Sequence, residues 1–188
     1  GTWRTLSKDE WYYLLHVRPN YSALCGVAQV NGANGWIFLP DNWICPDGVI
    51  FQSGLSPECD IDYAIHQTFT TEQWAKLEAT GAVFLPAVGY RDSLEVHYVQ
   101  YWGNYWSSSK YHSYAANFIE YCVCSEYEGY QNCSYGCSVR LVKDSAGEAI
   151  APEVPDSLEA PGTPYAGIGI FSVSEDKQVT FSPGNLQY

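Results

Sequence analysis

The chain has 188 residues, 46% of them apolar, with a formal charge of −12 and a pI near 4.5. That length allows one domain that buries most of its apolar surface and is too short for two large ones. The acidic balance and the lack of a Lys/Arg cluster speak against nucleic acid or an anionic membrane as partner, and no apolar run approaches the roughly 20 residues that span a bilayer.

Gly1-Thr2-Trp3 reads as neither a signal peptide nor a natural start, and the absence of methionine leads us to expect that the original beginning lies upstream. Ser7 and Glu10 form a capping box, so a helix should begin there. It would bury Trp11, Leu14 and Leu15 and stop at Arg18-Pro19. Thr70 and Gln73 repeat the pattern, with Trp74 and Leu77 as the buried face and Gly81 as a left-handed C-cap. Short apolar or alternating runs bounded by Gly, Pro, Asn or Asp read as strands: 27–30, 36–39, 83–85, 105–107, 118–121 and 138–142. Residues 145–167 have the Ala/Pro/Glu/Gly composition of a linker. Beyond it, Ile168 to Ser174 and Gln178 to Ser182, separated by Glu175-Asp176-Lys177, read as a β-hairpin. Trp3, Trp11, Trp36 and Trp74 are expected in the core.

The stretch from Tyr98 to Cys137 holds nine of the sixteen tyrosines, Trp102, Trp106 and four of the seven cysteines. Tyrosine and tryptophan give stiff, amphipathic contact area while interleaved Ser, Asn and Gly give adaptable hydrogen bonds, the composition of a recognition surface. The candidate ligand-binding residues are Tyr98, Tyr101, Trp102, Tyr105, Trp106, Tyr111, His112, Tyr114, Tyr121, Tyr127, Tyr130, Asn132 and Tyr135. Of these, Tyr111, Tyr114, Tyr127 and Tyr130 are expected to be exposed. Seven cysteines point to an oxidising compartment, and an odd number leaves at least one outside any internal pairing. Cys25 reads as a small buried apolar residue. Cys45 and Cys59 flank a turn-rich loop that a disulfide would close, and Cys122, Cys124, Cys133 and Cys137 are close enough to be stapled among themselves. Their C-x-C and C-x3-C spacings lack a nearby His pair, unlike the usual zinc pattern. The acidic loop with Glu58, Asp60 and Asp62 lacks the glycine and terminal glutamate of an EF-hand. No phosphate loop or dinucleotide fingerprint is present, and none of the four histidines sits in a Cys/His or Ser/His signature. The expectation is a binding protein without cofactor or metal rather than an enzyme.

Several motifs in order carry a resemblance over nearly the whole chain: Trp3 to Trp11, Asn31 to Trp43, Gly81 to Arg91, Tyr105-Trp-Ser-Ser-Ser109 and Ser138-Val-Arg-Leu-Val142. Together they resemble the large paralogous family of secreted or surface proteins of gut Bacteroidetes and Fibrobacter, which is similar to the C-type lectin fold in its formylglycine-generating-enzyme-like branch. The resemblance implies an α+β, C-type lectin-like fold in which two short helices pack on small, mostly antiparallel sheets. It also implies a secreted or cell-surface location. Some relatives are variable targets of diversity-generating retroelements, which would place a variable patch between Trp106 and Ser138. The residue types there are those that adenine mutagenesis of Asn codons produces, and ordinary drift of a tyrosine-rich surface gives a similar composition. The chain lacks the Glu-Pro-Asn, Gln-Pro-Asp and Trp-Asn-Asp patterns of calcium-dependent lectins, and the catalytic cysteine pair of the enzymes has no clear counterpart.

In relatives a stretch like Phe171 to Tyr188 opens the domain, whereas here it comes last. The chain is then either a fragment running from one tandem copy into the next or a circular permutant. The expected organisation is a lectin-like core at 1–144, a linker at 145–167 and a hairpin at 168–188 that completes the same or a neighbouring domain. That hairpin should pair with Ser138 to Val142, within one molecule or by strand donation and self-association through Ile168 to Ser182. The expected partner is a protein or glycan on another cell or surface, with a filament subunit as the alternative role.

Overall fold

The computed structural model describes residues 2–54, 66–122, 126–145 and 169–186. The expected linker, Cys59, Cys124 and the Glu58/Asp60/Asp62 loop lie outside the described residues.

Both helix starts are reciprocal caps. The Glu10 N–H donates to Ser7 Oγ at 3.2 Å while the Ser7 N–H donates to Glu10 Oε2 at 2.8 Å, opening α1 (Lys8–Tyr12). Thr70 and Gln73 make the same exchange at 3.3 and 3.0 Å and open α2 (Thr71–Ala79). Gly81, at φ +86°, ends α2: its N–H reaches the Glu78 carbonyl and the Ala82 N–H reaches that of Leu77, a Schellman closure. The first helix differs from the expected single α-helix. From Tyr13 to Val17 it widens to a π-helix, closed by the Arg18 N–H on the Tyr13 carbonyl. The wider turn buries Leu14 and Leu15 side by side and carries the Arg18 side chain inward, just before Pro19 forbids further helix. Arg18, 1% exposed, donates to the carbonyls of Leu14, Leu24 and Leu39 and pairs with Asp41 at 3.3 Å.

The described strands fall into three sheets and a hairpin. β1 (Arg4–Thr5), β2 (Cys25–Val30), β3 (Ala33–Phe38), β4 (Thr68–Phe69) and β5 (Val83–Pro86) precede the short hairpin of β6 (Tyr90–Asp92) and β7 (Glu95–His97). Then follow β8 (Gly103–His112), β9 (Ala115–Tyr121), β10 (Glu126–Asn132), β11 (Val139–Asp144), β12 (Phe171–Ser172) and β13 (Gln178–Leu186). One sheet has the order β4-β2-β3-β5, a second β10-β9-β8 and a third β1-β11-β13-β12. β2 and β3 join through Asn31-Gly32, both at positive φ (51° and 81°), as a two-residue hairpin of this twist requires.

Two apolar cores flank β3, whose run Trp36-Ile37-Phe38-Leu39 is buried throughout. Trp36 and Phe38 enter a core with Leu6, Trp11, Leu14, Tyr105, Tyr121, Val142 and Phe171, while Ile37 and Leu39 enter one with Val30, Phe69 and Leu77. A strand covered on both faces reads as a continuous apolar run, which is why 36–39 lacks alternation.

The C-terminal segment is part of the same core. β13 pairs antiparallel with β11, Val142 opposite Phe181 and Lys143 opposite Thr180, the pairing expected from the sequence. Phe171, Val173 and Val179 are fully buried. Asp41 fixes β12 by accepting from the Ser172 N–H (2.8 Å) and Oγ (2.6 Å). Glu10 fixes the turn by accepting from Lys177 Nζ at 2.8 Å. The expectation for Trp3 is corrected: it precedes the two-residue β1 and is 49% exposed. Trp74 is only partly buried, packed on Phe84 at the rim of the second core. The architecture is α+β, mostly sheet, with two short α-helices among the described residues. Among the described residues no helix is long and apolar enough to cross a membrane.

Candidate functional site

The tyrosine-rich stretch divides by strand geometry. On β8 and β9 alternate side chains face opposite ways, and cross-strand pairs share a face. Gly103, Tyr105, Ile119 and Tyr121 point into the first core. Asn104, Trp106, Phe118 and Glu120 lie on the other face. Two of the expected ligand-binding residues are therefore corrected. Tyr105 is fully buried and donates its hydroxyl to the Pro86 carbonyl at 2.9 Å, and Tyr121, 1% exposed, donates to the Leu85 carbonyl. Tyr121 occupies the space left by Gly103, where an added Cβ would lie 2.0 Å from the ring. A tyrosine whose hydroxyl meets a carbonyl is a good core residue, and composition alone does not separate it from a surface one.

At the far end of the sheet three of the four residues expected to be exposed, Tyr111, Tyr114 and Tyr130, come together. Tyr111 and Tyr130 are stacked, centroids 3.9 Å apart and planes 4° from parallel, at 49% and 55% exposure. His112 lies 4.1 Å from Tyr111, and Tyr114 meets His112 edge-on at 4.9 Å. β10, which the sequence reading missed, delivers Tyr130 opposite Asn117. The tip beside it is tied down: the Cys133 N–H donates to the Tyr114 carbonyl, and Asn132 Oδ1 accepts from the Ser134 N–H at 3.0 Å. Asn132 is thus exposed but serves its own turn. Tyr127 pairs through its backbone with Glu120; its side chain lies outside the described residues.

The remaining expected residues belong elsewhere. Trp106 is half-buried edge-on against Phe118. Tyr98 stacks on Trp102 at 3.9 Å and Tyr101 is exposed. Tyr135 packs on Tyr90 at 5.5 Å, and Tyr90 also touches His97 and Tyr98. Tyr90 and His97 escaped the sequence reading because three-residue strands are too short to show alternation; their cross-strand pairing in β6–β7 is what joins them. The backbone of this second cluster is tied by hydrogen bonds. Ser93, Tyr98 and Gln100 all have positive φ, and the Gln100 N–H donates to the Ala87 carbonyl while its side chain and carbonyl bind Asn34.

Cys45, Cys133 and Cys137 are free thiols, and Cys45 donates to the Val49 carbonyl at 3.3 Å. Burial and the nearby Glu120 push the Cys137 thiol up to about 12, so it is protonated at neutral pH and no nucleophile. Burial also raises the carboxyl of Glu120 and the hydroxyl of Tyr90, the latter reinforced by Tyr98, Tyr135, Asp92 and Glu120. Among the described residues, no group of three or more His, Cys, Asp or Glu is placed to hold a metal ion. No protein-family model, no curated protein and no solved structure matches this chain.

Proposed function

We propose that this chain is an exported recognition module of the C-type lectin-like kind that binds a protein or glycan on another cell or surface. Its contact face is the aromatic platform of Tyr111, His112, Tyr114 and Tyr130. The stacked, half-exposed pair Tyr111–Tyr130 carries the reading: large aromatic area left in water on a hydrogen-bonded sheet is pre-ordered for contact and costs little entropy to engage. The resemblance of its motifs to those of the Bacteroidetes and Fibrobacter family is what supports export and the lectin-like reading. A strand-donating filament subunit is disfavoured by the β11–β13 pairing within one molecule, since a strand already paired in cis is not on offer to a neighbour. The test is a combined glycan and protein array probed with the native chain and with Tyr111, Tyr114 and Tyr130 changed to Ala. A ligand bound by the first and lost by the second is expected. A ligand bound equally by both places recognition elsewhere, and a purified chain that elutes as a polymer revives the filament.

A further inference from the structure

The second aromatic cluster has a different chemistry from the platform and lies roughly 20 Å from it along β8. Its walls are Tyr90, Tyr98, Trp102 and Tyr135, with ring centroids 3.9 to 5.9 Å apart between neighbours. Beside it the cross-strand pair Asn104 and Glu120 shares the face of β8–β9 turned away from the first core, with Glu120 near enough to act on Tyr90. The bridge between Arg91 and Gly136 brings Tyr135 and Cys137 alongside Tyr90 and so closes the third side.

Two features of that pair point to a ligand. Asn104 is 2% exposed, yet its amide nitrogen has no hydrogen-bond partner. Such an orphaned buried group is rare in a finished structure and marks a place where something polar belongs. Glu120 is half-buried, and no ion pair among the described residues includes it. The carboxyls that act on Tyr90 are those of Asp92 and Glu120, beside the phenols of Tyr98 and Tyr135, and His97 packs on Tyr90 with ring centroids 5.3 Å apart. A half-buried carboxylate beside aromatic rings, with no ion-pair partner among the described residues, is an environment that a cation would complete. Ring faces attract an organic cation, which they desolvate more cheaply than a bare metal ion, and the net charge of −12 draws cations toward the surface.

We propose that Tyr90, Tyr98, Trp102, Tyr135, Asn104 and Glu120 form a binding site for an alkylammonium group, whether a lysine side chain of a partner protein or a free small amine. The rings cover the alkyl part, Glu120 faces the charge, and Asn104 meets an oxygen carried beside the ammonium, a hydroxyl or a peptide carbonyl. The site goes beyond the platform reading and does not depend on it.

Amide NMR titrations of the whole chain test this with three probes: choline, Nα-acetyl-lysine methylamide and 3,3-dimethylbutanol, the neutral isostere of choline. Saturable shifts at 89–92, 102–104 and 135–137 are expected with at least one cation, about tenfold weaker or absent with the neutral alcohol. Choline alone marks a free quaternary amine as the ligand, the lysine derivative alone marks a protein side chain, and both together mark the ammonium group without methyl selectivity. Glu120→Gln should weaken binding about tenfold, and Tyr90→Ala, which removes one of the rings, should weaken it as well. Spectra of the two variants that match the native one away from the cluster establish that they fold. Equal binding of the neutral alcohol, unchanged binding in folded Glu120→Gln, or no shifts with either cation up to about 100 mM would overturn the proposal. Platform variants take no part, so failure here leaves the proposed function standing.

Discussion

Replacing Glu10 by Gln should unlatch the C-terminal hairpin in a pH-dependent way. Glu10 is 8% exposed and accepts from Arg4 Nη1 at 2.6 Å, Arg4 Nη2 at 2.8 Å, Lys177 Nζ at 2.8 Å and the Ser7 N–H at 2.8 Å. Burial alone pushes its carboxyl up, but these donors and the charge of Arg4 outweigh that and hold it at about 2, against 4.5 for a free glutamate. At about 1.4 kcal/mol per unit this is roughly 3 kcal/mol, and about 2 once the partial exposure of Arg4 and Lys177 is allowed for. A depressed carboxyl stabilises above its unfolded value and loses that contribution as pH falls through its folded one. The contribution is therefore complete above about pH 5 and more than half gone by about pH 3. Urea unfolding of native and Glu10→Gln chains should differ by about 2 kcal/mol at pH 7, with the gap shrinking as pH falls from about 5 to 3. A gap that stays constant over that range would refute the ion-pair account, since Gln keeps the shape and part of the cap but not the charge.

Three further substitutions, two of them with an exposed counterpart as control, test the packing. Trp11→Ala should cost about 3–5 kcal/mol in thermal or urea unfolding, whereas Trp3→Ala, at a half-exposed site, should cost under about 1. Gly89 sits at φ +66°, and an added Cβ would lie 1.8 Å from the His97 carbonyl oxygen. Gly89→Ala should therefore destabilise the β6–β7 hairpin by about 2–4 kcal/mol, read as faster hydrogen exchange at 90–97. Tyr121→Phe removes a buried hydroxyl bond and should cost about 1 kcal/mol in the same unfolding assay, while Tyr114→Phe at an exposed site should cost nothing measurable.

The parts of the fold that sequence made legible are those governed by local chemistry. Ser7/Glu10 and Thr70/Gln73 satisfy helix N-termini with their own side chains, and Gly81 takes a left-handed conformation other residues resist, so both starts and one stop follow from a few neighbours. The pairing of β13 with β11 was legible because an apolar hairpin without a partner would leave an open edge. What escaped was set by distant contacts. Whether a tyrosine on β8 or β9 faces core or water depends on the sheet it packs against: Tyr105 and Tyr121 turn inward onto the Pro86 and Leu85 carbonyls, while Tyr111 lies past a register shift and turns outward. The widened turn at Tyr13 to Val17 is set by the place Arg18 finds among the carbonyls of Leu14, Leu24 and Leu39, which no local motif announces. The Tyr90 cluster depends on a backbone bridge between Arg91 and Gly136, far apart in the chain.

The central claim is that the stacked pair Tyr111–Tyr130 is a contact surface. The most direct measurement is the affinity of the double variant Tyr111→Ala/Tyr130→Ala for the best ligand found on the array, beside its unfolding midpoint. Aromatic contacts of this size predict a loss of about a hundredfold or more in affinity with a midpoint close to that of the native chain. Native affinity in the variant would contradict the account, and so would an affinity loss that tracks a large drop in stability, because the pair would then be holding the sheet together and not meeting a partner.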